Sequence, residues 1–406
     1  MISKTHLQEE LLKAVNDLGF TEFTEIQKRT IPLIQEGKDV IAQSSTGSGK
    51  TAAFGFPIIE KIKHGQGLQA LILVPTRELC EQVHKEMYKF SKYKKLNILA
   101  VYGGVSINIQ IERLRNVEIV VGTPGRILDH IRRNTIILNK VNTLVLDEAD
   151  KMFEMGFIDD VKKIISYLKQ DRQTLLFSAT MSSQVHHIVK NYMKNPILIK
   201  VKSYVDEKKL MQNYYDVPSK DKFSLLVHFL KKEYKGLTII FCGTRRIVDI
   251  LTRNLTRVGI KSGKLHGGLS QNKRKESIDM FHNNKFDVLV ASDVAARGLD
   301  IKNVSHIINY DIPKTSNEYI NRIGRTARAG AYGKIISLLS ERDYDNFRKV
   351  LEDRALIVKK LELPEFQIIP FLKQTKHSDH EYSHYDSKRK FAKRNFRRYR
   401  LLFSSY

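Results

Sequence analysis

The sequence predicts an α/β chain with two parallel-sheet domains in tandem, followed by a basic C-terminal tail. Three observations carry this. Short, nearly continuous β-branched runs alternate with helical patterns, polar glycine-containing motifs follow those runs, and the alternation breaks near residues 203–219 before starting again. Apolar strands separated by helices imply a parallel sheet covered on both faces, and such sheets bind ligands at the carboxyl ends of their strands. At 406 residues the chain has room for two domains that each bury a core. The expected division is a first domain over 1–202, a linker over 203–219, a second domain over 220–361 and a flexible tail over 362–406.

Composition narrows the partners. The chain is 42% hydrophobic and 28% charged, with no apolar stretch approaching a membrane span and no signal peptide before the helix expected over 7–18. A soluble, cytoplasmic protein is the expectation. Cys80 and Cys242 stand far apart without neighbouring ligands, which argues against a disulfide framework or a zinc site. The formal charge of +25 favours a polyanion, and nucleic acid is the expected partner. Membrane attachment is not expected, since the chain has no Trp and no basic amphipathic anchor.

The elements follow in order. Gln27, behind Thr24, offers the donor and acceptor that reading an adenine edge requires. Val40 to Ala42 reads as a strand, Ala52 to Ile62 as a helix, and between them lies Ser44-Ser45-Thr46-Gly47-Ser48-Gly49-Lys50-Thr51. A polyphosphate needs inward-turned backbone N–H groups, a flexible cation and a hydroxyl for its metal, which the glycines, Lys50 and Thr51 supply in that order. Ser44 stands where the usual pattern has its first glycine. Further strands are expected at 70–74, 119–121, 143–146, 174–177 and 197–201. The first four of these are followed by Pro75-Thr76-Arg77-Glu78, Gly122-Thr123-Pro124-Gly125-Arg126, Asp147-Glu148-Ala149-Asp150 and Ser178-Ala179-Thr180. A carboxylate at a strand end beside a phosphate loop suits Mg²⁺ held through water, and its neighbour suits orientation of an attacking water.

The second half repeats the alternation, with strands expected at 237–241, 288–291, 306–309 and 335–339, but it lacks a phosphate loop. Arg322, Arg325 and Arg328, spaced by three, present guanidiniums able to clamp a phosphate held by the other half. Asp300 suits a ribose hydroxyl. Beyond Lys373, Lys and Arg are interleaved with Phe391, Phe396 and Tyr399, a composition suited to grasping unpaired nucleic acid.

With these motifs in this order, residues 5–350 resemble the DEAD-box family of RNA-dependent ATPases and helicases. The resemblance implies two RecA-like domains that close on ATP and Mg²⁺ together with single-stranded or short duplex RNA. It assigns the nucleotide to Thr24, Gln27, Thr46, Gly47, Ser48, Gly49, Lys50, Thr51 and Asp300, and the metal to Thr51 and Asp147. Lys50, Asp147, Glu148, Arg325 and Arg328 would be catalytic, with Ser178 and Thr180 coupling hydrolysis to closure. The RNA groove would use Pro75, Thr76, Arg77, Gly103, Gly104, Thr123, Pro124, Gly125 and Arg126 from the first domain, and Thr244, Arg245, Gln271, Arg274, Ser292 and Asp293 from the second. A monomer acting on ribonucleoprotein or ribosome-assembly partners fits the same picture. Ile2, Phe23, Asn321 and Ala327 depart from the usual aromatic, Pro, His and Gly. Two rival readings are an ATP-gated RNA clamp or annealing chaperone, and a DNA-directed translocase.

Overall fold

The first sheet grows from short runs dominated by Val, Ile, Leu and Ala, with polar side chains confined to the strand ends. These are β1 (Val40–Gln43), β2 (Ala70–Leu73), β3 (Ile98–Val101), β4 (Ile119–Gly122), β5 (Thr143–Leu146), β6 (Gln173–Ser178) and β7 (Ile197–Lys200). Around them lie α1 (Glu9–Asp17), α2 (Glu25–Gln35), α3 (Lys50–Lys61), α4 (Arg77–Phe90), α5 (Ile107–Arg113), α6 (Pro124–Arg132), α7 (Ala149–Glu154), α8 (Ile158–Ser166) and α9 (Ser183–Tyr192). The second unit contains β8 (Leu210–Asp216), α10 (Lys222–His228), β9 (Leu237–Cys242), α11 (Arg245–Arg257), β10 (Ser262–Leu265), α12 (Gln271–His282) and β11 (Val288–Ser292). It continues with β12 (Val304–Asn309), α13 (Ser316–Ile323), β13 (Gly333–Leu339), α14 (Tyr344–Leu351) and β14 (Lys359–Leu361). The structure, a computed structural model, describes residues 7–44, 47–201, 210–233, 236–293, 304–326, 333–353 and 356–373.

Both sheets are parallel throughout and share one topology. The first runs β3-β4-β2-β5-β6-β1-β7 and the second β10-β11-β9-β12-β13-β8-β14, which is the same order with each strand shifted by seven. Alternate residues of each central strand enter different cores. Val145 faces the core on one side of the first sheet while Leu144 and Leu146 face the other, and Ile239 and Ile240 divide in the same way in the second. Cys80 and Cys242 are buried free thiols within these cores. No helix among the described residues is long and apolar enough to cross a membrane.

Two boundaries differ from expectation. β8 lies inside the stretch expected to be a linker, where it pairs with β13 on one side and β14 on the other. Its Leu-Met-Gln-Asn-Tyr-Tyr-Asp sequence alternates buried and exposed positions, so it lacks the continuous apolar run of a central strand. Residues 362–373, expected to begin a flexible tail, pack on the second unit. Phe366, Ile369 and Phe371 cover its core beside α10, and Ser224 bonds both the N–H and the C=O of Ile369. Asn254 does the same for Leu372, so the segment is held by paired backbone bonds much as a strand would be. The remainder of the tail lies outside the described residues.

Candidate functional site

The loop between β1 and α3 is shaped by its glycines. Gly47 and Gly49 adopt φ of 86° and 91°, a left-handed region that costs other residues energy. Ser44 N–H donates to the Ser178 carbonyl and the hydroxyls of Ser44 and Ser48 lie 3.0 Å apart, so a serine serves where the usual pattern has glycine. Lys50 opens α3 and is buried, its Nζ 3.4 Å from the Ser44 carbonyl, while Thr51 beside it is half-buried. Thr46 lies outside the described residues.

Thr24 and Gln27 support this loop from behind. Gln27 is 1% exposed; its Oε1 accepts from Thr24 N–H at 2.9 Å and its Nε2 donates to the Gly49 carbonyl at 3.0 Å. Thr24 Oγ1 donates to the Ser48 carbonyl at 2.8 Å. A Cβ on Gly49 would collide with the Gln27 amide, so the close approach itself requires glycine. Gln27 keeps one N–H and one lone pair beyond these bonds.

Asp147 and Glu148 leave β5 together. Glu148 sits at φ 50°, ψ 47° ahead of α7, and this unusual backbone turns consecutive carboxylates apart. Burial pushes the Asp147 carboxyl up to about 6 against the pull of Lys50. Burial acts on Glu148 as well, but Lys151, Lys50 and Arg325 outweigh it and hold Glu148 at about 2. Lys151 Nζ donates to Glu148 Oε2 at 3.0 Å, with both side chains buried. Thr180 donates from N and Oγ1 to Asp150 Oδ2 at 2.8 and 3.0 Å, and Ser178 Oγ donates to the Thr180 carbonyl, which fastens the end of β6 to α7.

Arg325, a buried residue of the second unit, therefore acts on Glu148 of the first. Arg322, expected to share in clamping phosphate, does something else. Its guanidinium makes a two-pronged pair with Asp293 at 2.6 and 2.7 Å, donates to Asn309 Oδ1 and the Asp311 carbonyl, and lies over the Phe241 ring. Five donors in a planar fork match that pocket, so the arginine braces β11 against β12. Asp293, which the resemblance places in the RNA groove, has its carboxylate engaged by Arg322. Arg328 and Asp300 lie outside the described residues.

A second group of residues sits at helix starts and glycine turns of the two units. Thr76 accepts from Leu79 N–H at the start of α4, Thr244 accepts from Ile247 N–H at the start of α11, and Thr123-Pro124 opens α6. Helix N-termini carry partial positive charge, which suits backbone phosphates. Gly104 has φ 87°, and a Cβ there would collide with the Arg77 guanidinium; a Cβ on Gly103 would lie 3.4 Å from Arg77 and 3.9 Å from Arg126. Two guanidiniums thus flank bare backbone. Pro75 is buried, Gly125 exposed, and Ser292 ends β11 buried. Gln271 begins α12, and Arg274 on the same helix pairs with Glu78 of α4 at 3.0 Å.

The shared topology exposes second-unit counterparts, His266-Gly267-Gly268, that sequence reading passed over. Tyr102-Gly103-Gly104 follows β3, and His266-Gly267-Gly268 follows the equivalent β10. Arg245 opens α11 as Arg77 opens α4, and a Cβ on Gly267 would lie 3.2 Å from its Nη2. His266 accepts from Gly268 N–H and faces Asp249. The signal available in sequence was the pair of diglycines, each two residues ahead of a Ser that caps a helix.

No cluster of three metal-binding side chains occurs among the described residues. The DEAD/DEAH box helicase family profile matches residues 24–188, and the helicase conserved C-terminal domain profile matches residues 221–330. The chain is 48% identical over 365 residues to the ATP-dependent RNA helicase CshA of Listeria monocytogenes, covering 89% of this chain and 70% of that one. Among solved structures, S. cerevisiae Dbp5 bound to RNA and ADP BeF3 gives a TM-score of 0.80 at 31% identity, covering 89% of this chain and 95% of that one. A DEAD box protein from Methanococcus jannaschii is 41% identical, covers 88% and 98%, and gives 0.54.

Proposed function

The chain belongs to the DEAD/DEAH box helicase family, and from that premise we propose how its residues divide the work of an ATP-dependent RNA helicase. The loop donor set fits a polyphosphate: backbone N–H groups turned by positive-φ glycines, one buried lysine and one hydroxyl. Bound ATP supplies the phosphoryl group to be transferred, and Mg²⁺ supplies charge neutralisation on it. Lys50 and the backbone from Gly47 to Thr51 hold the phosphates. Thr51 and Asp147 hold the metal, Asp147 through water. Thr24 and Gln27 tie base recognition to the loop, because the Gln27 amide bonds Gly49 directly.

Glu148 stays ionised, orients the attacking water and accepts its proton. Arg325, with Arg328, answers the charge that develops on the transferring group, and Asp300 takes the ribose. Hydrolysis is coupled to closure through Asp150, which Thr180 and Ser178 hold to β6. RNA lies on the backbone-facing groups Pro75 to Arg77, Gly103-Gly104, Thr123 to Arg126, Thr244-Arg245, Gln271 and Ser292. Gly267-Gly268 joins them on the second unit. Contacts of this kind read phosphate and sugar, so no base sequence is preferred. Closing the units on one strand bends it and separates short duplexes locally. The protein works as a cytoplasmic monomer on ribonucleoprotein or ribosome-assembly substrates.

One observation supports the coupled reading above the rest: Arg274 of the second unit pairs with Glu78 of the first at 3.0 Å, and the Arg325 charge acts on Glu148 in the same sense, so RNA residues and nucleotide residues are linked between the units. The test is steady-state phosphate release with and without single-stranded RNA, with matched DNA as control. Strong stimulation by RNA alone, abolished in Lys50→Ala and Glu148→Gln, is the expected result. Turnover indifferent to RNA would favour the clamp reading.

A further inference from the structure

Gln110, on the inward face of α5, joins the two first-unit loops that meet RNA in the reading above. Its amide orientation is unambiguous, because every partner forces it. Nε2 donates to the Tyr102 carbonyl at 3.0 Å, immediately before Gly103-Gly104. Oε1 accepts from Arg126 Nη1 at 3.2 Å, and arginine has no acceptor to offer. The same oxygen lies 3.0 Å from His130 Nε2, so that nitrogen carries a proton. His130 is wholly buried, and its Nδ1 lies 2.8 Å from Thr135 Oγ1, which accounts for its other side. Both nitrogens of the Arg126 fork also donate to the Val105 carbonyl.

The consequence is mechanical. Arg126 has a long side chain with several rotatable bonds, yet three donor contacts from two of its nitrogens hold it near Gly103, where the Arg77 guanidinium also lies. Gln110 reaches both the diglycine loop and this arginine, with a buried imidazole behind it that cannot retreat into solvent. Gln110 is itself only 5% exposed, so it acts on RNA through Arg126 and the Tyr102 carbonyl rather than by its own contact. We propose that Gln110, backed by His130, is a positioning residue for RNA binding: it sets the Arg126 guanidinium and the Gly103-Gly104 loop as one rigid phosphate seat. The proposal rests on the assignment of Arg126 and Gly103-Gly104 to the RNA groove.

The experiment is a double-mutant cycle on the full chain, reading the RNA concentration that gives half-maximal stimulation of ATP turnover, with melting temperature measured alongside. Gln110→Met fills the same volume without either bond. It is expected to raise the half-stimulating RNA concentration about 10-fold, the scale of a lost charge-assisted bond, with the change falling there and not on turnover at saturating RNA. In an Arg126→Ala background, Gln110→Met is expected to add clearly less than it does alone, because the part played through Arg126 is already removed and only the hold on the Tyr102 carbonyl remains. A structural defect would instead lower turnover and melting temperature in both backgrounds and add fully. Gln110→Glu carries the test should Gln110→Met fail to fold. It still accepts from Arg126 and His130 but cannot donate to the Tyr102 carbonyl and cancels the arginine charge, so RNA binding weakens and the salt dependence of log affinity falls by about one. If Arg126→Ala weakens RNA binding while the Gln110 variants do not, the positioning role is wrong and the groove stands. If Arg126→Ala itself changes nothing, the groove assignment fails and this proposal with it.

Discussion

Arg274 of α12 and Glu78 of α4 form a 3.0 Å ion pair between the two units, with both side chains largely shielded from water. Breaking a shielded pair from one side leaves an uncompensated charge, so each single reversal should be costly and the double reversal should recover. Glu78→Arg and Arg274→Glu are each expected to cut RNA-stimulated turnover at least about 10-fold, and the swapped double variant to regain much of it. Turnover in saturating RNA measures this. Losses that simply multiply would mean that the two residues act separately.

Lys151 provides the second test. Its ammonium is buried against Glu148, and Lys151→Met would remove that carboxylate's hydrogen-bonded cation, at a cost of at most about 3–5 kcal/mol because Lys50 and Arg325 still act on it. Among the forces holding Glu148 at about 2 against burial, Lys151 is the strongest. The acid limb of the turnover profile should therefore move to higher pH in Lys151→Met. A profile matching the parent would show that other cations suffice.

Asp147 runs the other way. Its folded value near 6 exceeds the unfolded value of about 3.9, so the folded chain binds more protons between these limits. The stability this contributes is fully present below about pH 4 and is lost as pH rises through 6. Asp147→Asn removes that dependence. Without nucleotide it should melt above the parent at pH 7.5, by the equivalent of about 2–3 kcal/mol at most, and the gap should narrow toward pH 5. Calorimetry at the two pH values checks this, alongside an expected loss of ATP turnover.

Arg322 and Arg325 should separate cleanly. Arg322→Lys loses the fork that grips Asp293, Asn309 and Asp311, so its expected effect is a lower melting temperature of the second unit, with turnover recovering in a cooler assay. Arg325→Lys should instead cut turnover at every temperature, by about 10³-fold. Equal thermal and kinetic behaviour of the two variants would contradict the division of roles.

Residues 362–373 and the chain beyond them should also behave differently. Truncation after Lys373 should keep melting temperature and ATP turnover while raising the RNA concentration needed. Truncation after Leu361 also strips Phe366, Ile369 and Phe371 from the core beside α10 and should lower the melting temperature by at least about 5 °C.

The strands legible in the sequence are the central ones, together with β7, an edge strand whose Ile-Leu-Ile run is itself apolar. β2, β4 and β5 are covered on both faces, so burial demands apolar residues at every position, and that pattern needs no partner to be recognised. β3 and β10 end their sheets with alternate residues half-exposed, β14 is exposed throughout, and β8 is mixed; these strands exist because a neighbour offers an unpaired edge.

The same distinction runs through the site. Lys50, Asp147-Glu148 and Ser178-Ala179-Thr180 are legible because a strand followed by a tight polar turn is a local arrangement, complete within a few residues. Arg322 and Arg325 stand three apart in one motif, and nothing local distinguishes them. Tertiary structure sends Arg322 to the Asp293 carboxylate and Arg325 toward Glu148 of the other unit. Gln110, Glu78 and His130 likewise acquire their parts only from what lies opposite them. Local chemistry is written in neighbouring residues, whereas the commitment of a charge or an amide depends on which distant group shares its burial, and only the folded chain sets that.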